Sequence, residues 1–84
     1  MRNAWVVKLG KKNISGKRIR VARLLEKPRA TQADISARLE VVGVILSPSS
    51  IGKIEQGQRP ITDIQLTAIS KVLKVSVTWL LGAE

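Results

Sequence analysis

The 84-residue chain contains no cysteine, no histidine, no tyrosine and no phenylalanine. Without cysteine and histidine it can form no disulfide, no thiolate or imidazole metal site, and no Ser–His or Cys–His nucleophile. No apolar run reaches the ~18 residues of a membrane helix, and the N-terminus lacks the apolar stretch of a signal peptide. We therefore expect a cytoplasmic protein with no membrane partner, no metal and no cofactor.

Acidic residues are also scarce, since six Asp and Glu stand against 15 Lys and Arg for a net charge of +9. The chain has neither paired-carboxylate spacing nor a glycine-rich phosphate loop, so we expect no enzyme. Its length fits one small domain. Hydrophobic residues make up 44% of the chain, but Trp5 and Trp79 are its only aromatic residues. The core must therefore be aliphatic.

The positive charge is concentrated at the front of the chain. Residues 1–29 hold ten basic residues and one acid, which is +9, whereas residues 30–84 hold five of each and are neutral. A basic segment on a neutral domain favours contact with a polyanion, although it can also serve solubility alone. We divide the chain into a basic N-terminal arm, residues 1–14, and a folded domain, residues 15–84. Trp5 leaves open whether the arm is mobile or docked on the core.

The folded domain shows five helix signals and no strand signal worth defending. Ser15, Thr31, Ser47, Thr62 and Ser76 are the predicted N-caps, and Pro48 follows Ser47 at the first helical position. The expected helices run over about 16–27, 32–42, 48–57, 63–73 and 77–81. In the second helix Val42 shares a face with Ile35 and Leu39, and in the fourth Ile64 begins the apolar pattern.

An ordered series of residues resembles the Cro/phage-repressor (XRE-like) type of helix-turn-helix domain over about residues 16–82. The matching strings are Gly16-Lys17-Arg18-Ile19-Arg20-x-x-Arg23, Thr31-Gln32-x-Asp34-Ile35-Ser36-x-x-Leu39, Ser47-x-Ser49-Ser50-Ile51-x-Lys53-Ile54-Glu55-x-Gly57-x-Arg59, and Leu66-x-x-Ile69-x-x-Val72-Leu73-x-Val75-Ser76-x-x-Trp79-Leu80-Leu81-Gly82. The resemblance implies an all-α, five-helix, lambda-repressor-like DNA-binding domain, here with a basic N-terminal arm.

The resemblance also implies roles for individual residues. The third helix would read bases through Pro48, Ser49 and Lys53. Phosphate or sugar-phosphate contacts would come from Gln32, Ser47, Ser50, Gln56 and Arg59. Arg23 and Glu55 would form a structural ion pair between the first and third helices. From the charge distribution we add Lys8, Lys11 and Lys12 of the arm to the expected DNA contacts.

The chain departs from the family pattern at several points, and the stretch from Arg23 to Gln32 is about two residues longer than usual. The stretch from Leu39 to Ile51 is about five residues longer than usual, which puts the pose of the third helix in doubt. Gly52 lies inside a helix, where glycine costs up to ~1 kcal/mol relative to alanine, and it can permit close approach of a neighbouring helix or of DNA. With only Ser49 and Lys53 as polar readers, part of the specificity is expected from DNA shape or the arm.

The resulting hypothesis is a small transcription regulator that binds double-stranded DNA as a homodimer, and specifically a repressor. The dimer face expected by resemblance contains Val75, Val77, Thr78, Trp79 and Leu81, within a segment that has no charged residue. Burial of these side chains in the core is the alternative. A protein-interaction adaptor or antitoxin-like partner is the alternative function. An RNA-binding module is less favoured, because the chain lacks aromatic platforms for stacked bases.

Overall fold

The computed structural model describes residues 11–84, so that the prediction for Lys8 lies outside the described residues. The all-α prediction is confirmed, since residues 11–84 contain five helices and no strand. The helices are α1 (Gly16–Leu25), α2 (Gln32–Val41), α3 (Pro48–Glu55), α4 (Asp63–Leu73) and α5 (Val77–Leu80). None of these helices has the length and the apolar character needed to cross a membrane.

All five helices begin where the sequence predicts, and hydroxyl side chains cap four of them. Thr31, Ser47, Thr62 and Ser76 each accept a hydrogen bond from the backbone N–H three residues ahead. In α2 and α4 the side chains of Asp34 and Gln65 in turn accept hydrogen bonds from the backbone N–H groups of Thr31 and Thr62, which completes the capping boxes. These local bonds satisfy N–H groups that a helix leaves without an internal partner.

The cap predicted for α1 is wrong in its atomic detail. Ser15 occupies the N-cap position, but its side chain makes no capping bond and its buried Oγ has no partner among the described residues. The side chain of Asn13 provides the cap instead, since its Oδ1 accepts from the backbone N–H groups of Ser15 and Gly16. An Asn two residues before the N-cap position thus replaces the hydroxyl.

The core is aliphatic, as the composition requires. The fully buried large side chains come from all five helices, and they are Ile19, Ile35, Leu39, Ile51, Ile54, Ile69 and Leu80. Helix α3 packs against α1 and α2, while α4 packs against α1, α2 and α5. The short α3 is thereby held from two sides.

Two apolar residues lie differently from the prediction. Val42, expected on the buried face of α2, is the C-cap residue of that helix and is 52% exposed. Ile64, expected to begin the apolar face of α4, is 70% exposed. Val42 stands beside the lengthened bend and Ile64 stands in the first turn of α4. At neither helix end does a neighbouring helix cover the side chain.

Candidate nucleic-acid interface

Helix α3 has one buried and one exposed face. Ile51 and Ile54 are fully buried, whereas Pro48, Ser49 and Lys53 are exposed. Ser49 and Lys53 are four residues apart and therefore lie on the same side of the helix. The three residues predicted to face bases thus share the solvent side of one short helix. The major groove of B-DNA is wide enough to admit such a helix.

A cluster of hydroxyls surrounds the N-terminus of α3. Ser47 Oγ accepts from the Ser50 N–H at 3.1 Å and donates to Ser50 Oγ at 2.9 Å, and it lies 3.2 Å from Ser49 Oγ. Arg59, nine residues further along, donates from Nη1 to Ser50 Oγ. This bond holds a guanidinium beside the first turn of α3. Three of the residues predicted to contact the sugar-phosphate backbone of DNA therefore lie together: Ser47, Ser50 and Arg59.

The ion pair between Arg23 and Glu55 is present and buried. Arg23 Nε donates to Glu55 Oε2 and Nη2 donates to Oε1, both at 2.8 Å, and Nη1 donates to the Ala30 carbonyl at 3.0 Å. The hydrogen bond to Glu55 raises the pKa of Arg23 above its ordinary value. Because Glu55 is the one acidic residue of α3, this pairing also neutralises the negative charge of the helix.

The side chain of Gln32 lies between α2 and α3. Its Nε2 donates to Glu55 Oε1 at 3.2 Å. A Cβ added to Gly52 would lie 3.2 Å from the same Nε2, so Gly52 makes room for Gln32 rather than for a neighbouring helix backbone. An amide nitrogen carries two hydrogens. Gln32 can therefore hold Glu55 with one hydrogen and offer the other to a phosphate oxygen.

The two described arm lysines lie beside the C-terminal end of α3. Lys11 Nζ donates to the carbonyl of Gln56 at 3.1 Å, and the Lys12 backbone N–H donates to the carbonyl of Gly57 at 2.9 Å. The side chains of Lys12 and Gln56 are exposed. Cations at this position suit the partial negative charge at the end of a helix.

The residues predicted to form a dimer face are mostly half-buried. Val75 and Trp79 pack against the core, Val77 and Leu81 are half-buried, and Thr78 is exposed. The Arg18 guanidinium carbon lies 4.9 Å from the centre of the Trp79 ring. The face predicted from its lack of charge therefore contributes to the core and also retains some accessible apolar surface.

Sequence reasoning missed the part played by Asn13 and the contact between Gln32 and Gly52. Asn is a favoured capping residue, and Asn13 stands just ahead of the predicted start of α1, which was a usable signal. The partner of Gln32 had no such signal, because Gly52 lies 20 positions away in the chain. Among residues 11–84, no group of three or more acidic side chains lies close enough to hold a metal ion.

The sequence model of the Helix-turn-helix family matches residues 21–80. The match covers the second half of α1 and all of the four following helices. It therefore includes α3, its hydroxyl cluster and both partners of the buried ion pair. No curated protein and no solved structure gives a match to the chain.

Proposed function

Since the chain belongs to the helix-turn-helix family, in its Cro/phage-repressor (XRE-like) form, and this domain binds DNA, we propose that it is a sequence-specific transcriptional repressor. The observation that carries the proposal is the two-faced α3, whose solvent side presents Pro48, Ser49 and Lys53 while Ile51 and Ile54 anchor its other side. Such a helix can enter the major groove without loss of its packing. We further propose that this repressor belongs to a mobile element or a toxin–antitoxin-like operon and acts in the cytoplasm.

The proposed reading residues have distinct chemistry. Lys53 can donate to guanine O6 or N7, Ser49 can donate or accept, and Pro48 offers only apolar contact, for example with a thymine methyl group. Two polar side chains, Ser49 and Lys53, can distinguish the bases at only a few positions of a duplex. The remaining specificity then comes from the shape and deformability of the duplex.

The proposed phosphate contacts surround this reading face. Gln32 stands at the start of α2, and Arg59 is held at the start of α3 by Ser50. Ser47 and Gln56 mark the two ends of the same helix. Contacts of this kind fix the orientation of the domain on the duplex and leave the reading of bases to the exposed side of α3.

Selection of bound duplexes from a random pool, followed by titration at two salt concentrations, tests this proposal. We expect an enriched motif and a log–log salt slope that reports several phosphate contacts. Replacing Ser49 with Ala and Lys53 with Gln should relax the motif. The control Lys71→Gln removes the same charge from an exposed position of α4 and should leave the motif intact. An unenriched pool would overturn sequence-specific binding.

We also propose a homodimer, because one short helix reads too few base pairs to select a genomic site. Paired domains bind half-sites roughly 34–36 Å apart. The proposed face contains Val77, Thr78 and Leu81, with Val75 and Trp79 behind them. Leu81→Lys should lower affinity for a palindromic duplex more than for a half-site, with the fold checked by circular dichroism. Thr78→Lys places the same charge on an exposed residue and separates loss of the interface from unfolding. If Leu81→Lys lowers the affinities for the palindromic and the half-site duplex equally, this face is excluded as the dimer interface.

A protein partner is the second candidate function, and one observation favours it. The lengthened bend and the start of α4 expose four large aliphatic side chains, with Val41 at 86%, Val42 at 52%, Ile45 at 76% and Ile64 at 70%. Val42 and Ile64 line the same surface depression. Exposed apolar groups that line one depression, as Val42 and Ile64 do, are typical of interaction sites. An adaptor or antitoxin-like partner would use this surface and would show no salt-dependent duplex affinity.

A further inference from the structure

The side chain of Asn13 joins the start of α1 to the C-terminal end of α3 and the segment that follows it. Asn13 Oδ1 accepts from the backbone N–H groups of Ser15 at 3.1 Å and Gly16 at 2.7 Å. Its Nδ2 donates to the carbonyls of Ile54 at 3.0 Å and Arg59 at 2.8 Å. An amide side chain has two lone pairs and two hydrogens for such bonds. Asn13 uses all of them, two at the start of α1, one at Ile54 in the last turn of α3 and one at Arg59 in the segment that follows α3.

The neighbours of Asn13 tighten the same junction. Lys12 and Lys11 bond to the carbonyls of Gly57 and Gln56, as described above. A Cβ at Gly57, where φ is +74°, would lie 2.7 Å from Lys11 Cδ. A Cβ at Gly16 would lie 2.1 Å from the Ile54 carbonyl oxygen. The close approach of the two segments therefore requires glycine at Gly16, where the clash is with backbone, whereas Gly57 is favoured by its positive φ because the Lys11 side chain could move aside.

This junction sets where the basic arm leaves the domain. Residues 1–12 contain four basic residues and no acid: Arg2, Lys8, Lys11 and Lys12. Their attachment point lies at the end of the helix that carries Ser49 and Lys53. A charged segment with a fixed starting direction loses less conformational freedom on binding than one that leaves the domain at random.

We propose that Asn13 is a positioning residue that fixes the basic arm to α3, so that both contact one duplex as a unit. The proposal rests on the proposed DNA-binding function. If Asn13 served only to cap α1, its Oδ1 would be sufficient. The two bonds donated by Nδ2 go instead to Ile54, in the last turn of α3, and to Arg59, in the segment that follows it. These two bonds carry the proposal.

The two roles of Asn13 can be separated by substitution. Asn13→Asp keeps two acceptor oxygens for the N–H groups of α1, but it has no hydrogen to donate to Ile54 and Arg59. Asn13→Ala removes both roles without adding charge. Amide hydrogen exchange at Lys12, whose N–H is bonded to Gly57, reports the junction in the absence of DNA. Both variants should lose protection there while circular dichroism shows the helices retained.

The functional test is a double-mutant cycle on the full chain. Asn13→Ala is combined with the paired change Arg2→Gln and Lys8→Gln, and affinity is measured for a duplex that the unmodified chain selects. We expect Asn13→Ala to weaken binding about fivefold with the native arm and less than twofold with the neutralised arm. The proposal would be overturned if Asn13→Ala lowered affinity equally with the native and with the neutralised arm, or if the Lys12 amide kept its protection from exchange. Absence of duplex binding by the unmodified chain would instead refute the proposed function itself, whereas the Lys12 exchange would still report on the junction.

Discussion

The two ends of α3 are held in opposite ways. At its C-terminal end, Glu55 is buried by Arg23 and the Ile54 carbonyl receives a bond from Asn13. At its N-terminal end, the exposed residues Ser47 and Ser49 bond mainly within their own cluster. One end is fixed by distant parts of the chain, while the other is capped locally and faces solvent.

This difference explains how so short a helix can serve as a reading element. Eight residues are too few for a stable isolated helix in water, so tertiary packing must hold it. The contacts that do so are placed at the buried face and the C-terminal end. The N-terminal side chains are thereby left accessible on a rigid support.

Breaking the buried ion pair should have the largest effect. Glu55→Gln leaves Arg23 charged in a buried position, and Arg23→Ala leaves Glu55 in the same condition. Each variant should lower the free energy of unfolding by about 3–5 kcal/mol, measured by urea denaturation. The control is Glu26→Gln, which breaks a partly exposed pair with Arg38 and should cost less than about 1 kcal/mol. A similar small cost at Glu55 would mean that the C-terminal end of α3 is not fixed by this pair.

Removing the N-cap of α3 should have a smaller effect on stability and a selective effect on binding. Ser47→Ala loses the capping bond to the Ser50 N–H and should cost about 1 kcal/mol by thermal unfolding. It also loosens the cluster that holds Arg59, so duplex affinity should fall. Thr62→Ala removes the equivalent cap from α4 and should reduce stability without that loss of affinity. If both variants bind DNA equally, the cluster has no role in binding.

Filling the gap at Gly52 should stabilise the middle of α3 slightly. Gly52→Ala gains helix propensity of up to ~1 kcal/mol, but its Cβ displaces the Gln32 amide by a few tenths of an ångström. We expect a net gain in unfolding free energy below that value. When Gly52→Ala is made in the Gln32→Ala variant, where no amide has to move, the full gain in the free energy of unfolding should be measured. A net loss in both backgrounds would show that Gly52 is required for a reason other than Gln32.

The smallest effect concerns acid stability. A hydrogen bond from Arg38 lowers the pKa of Glu26, and one from the Thr31 backbone lowers the pKa of Asp34. Since these depressed values belong to the folded state, their stabilisation is present above the unfolded pKa values of about 4 and is lost as pH falls below them. Unfolding followed between pH 6 and pH 2 should show this decline. Glu26→Gln should flatten it slightly, and an unchanged profile would contradict the assignment.

Local signals predicted most of the fold. Thr31 with Asp34, Ser47 with Pro48, and Thr62 with Gln65 each identified a helix start within a few residues. Sequence reasoning succeeded there because capping bonds join residues only three positions apart. The family resemblance added the pairing of Arg23 with Glu55, which no local pattern could provide across 32 positions.

The amino-acid sequence by itself determined five helices, an aliphatic core and a positive charge concentrated in residues 1–29. Helix propensity and capping act over a few residues, and composition alone sets the kind of core and the charge. Only the tertiary structure decided that Asn13 bonds to Ile54 across 41 positions, that Gln32 fills the space above Gly52, and that Ile64 is left exposed. These outcomes depend on how α3 packs against α1 and α2, and on how α4 packs against α1, α2 and α5. Such packing brings together groups that are distant in the chain, and it decides which faces of the helices remain accessible to a partner.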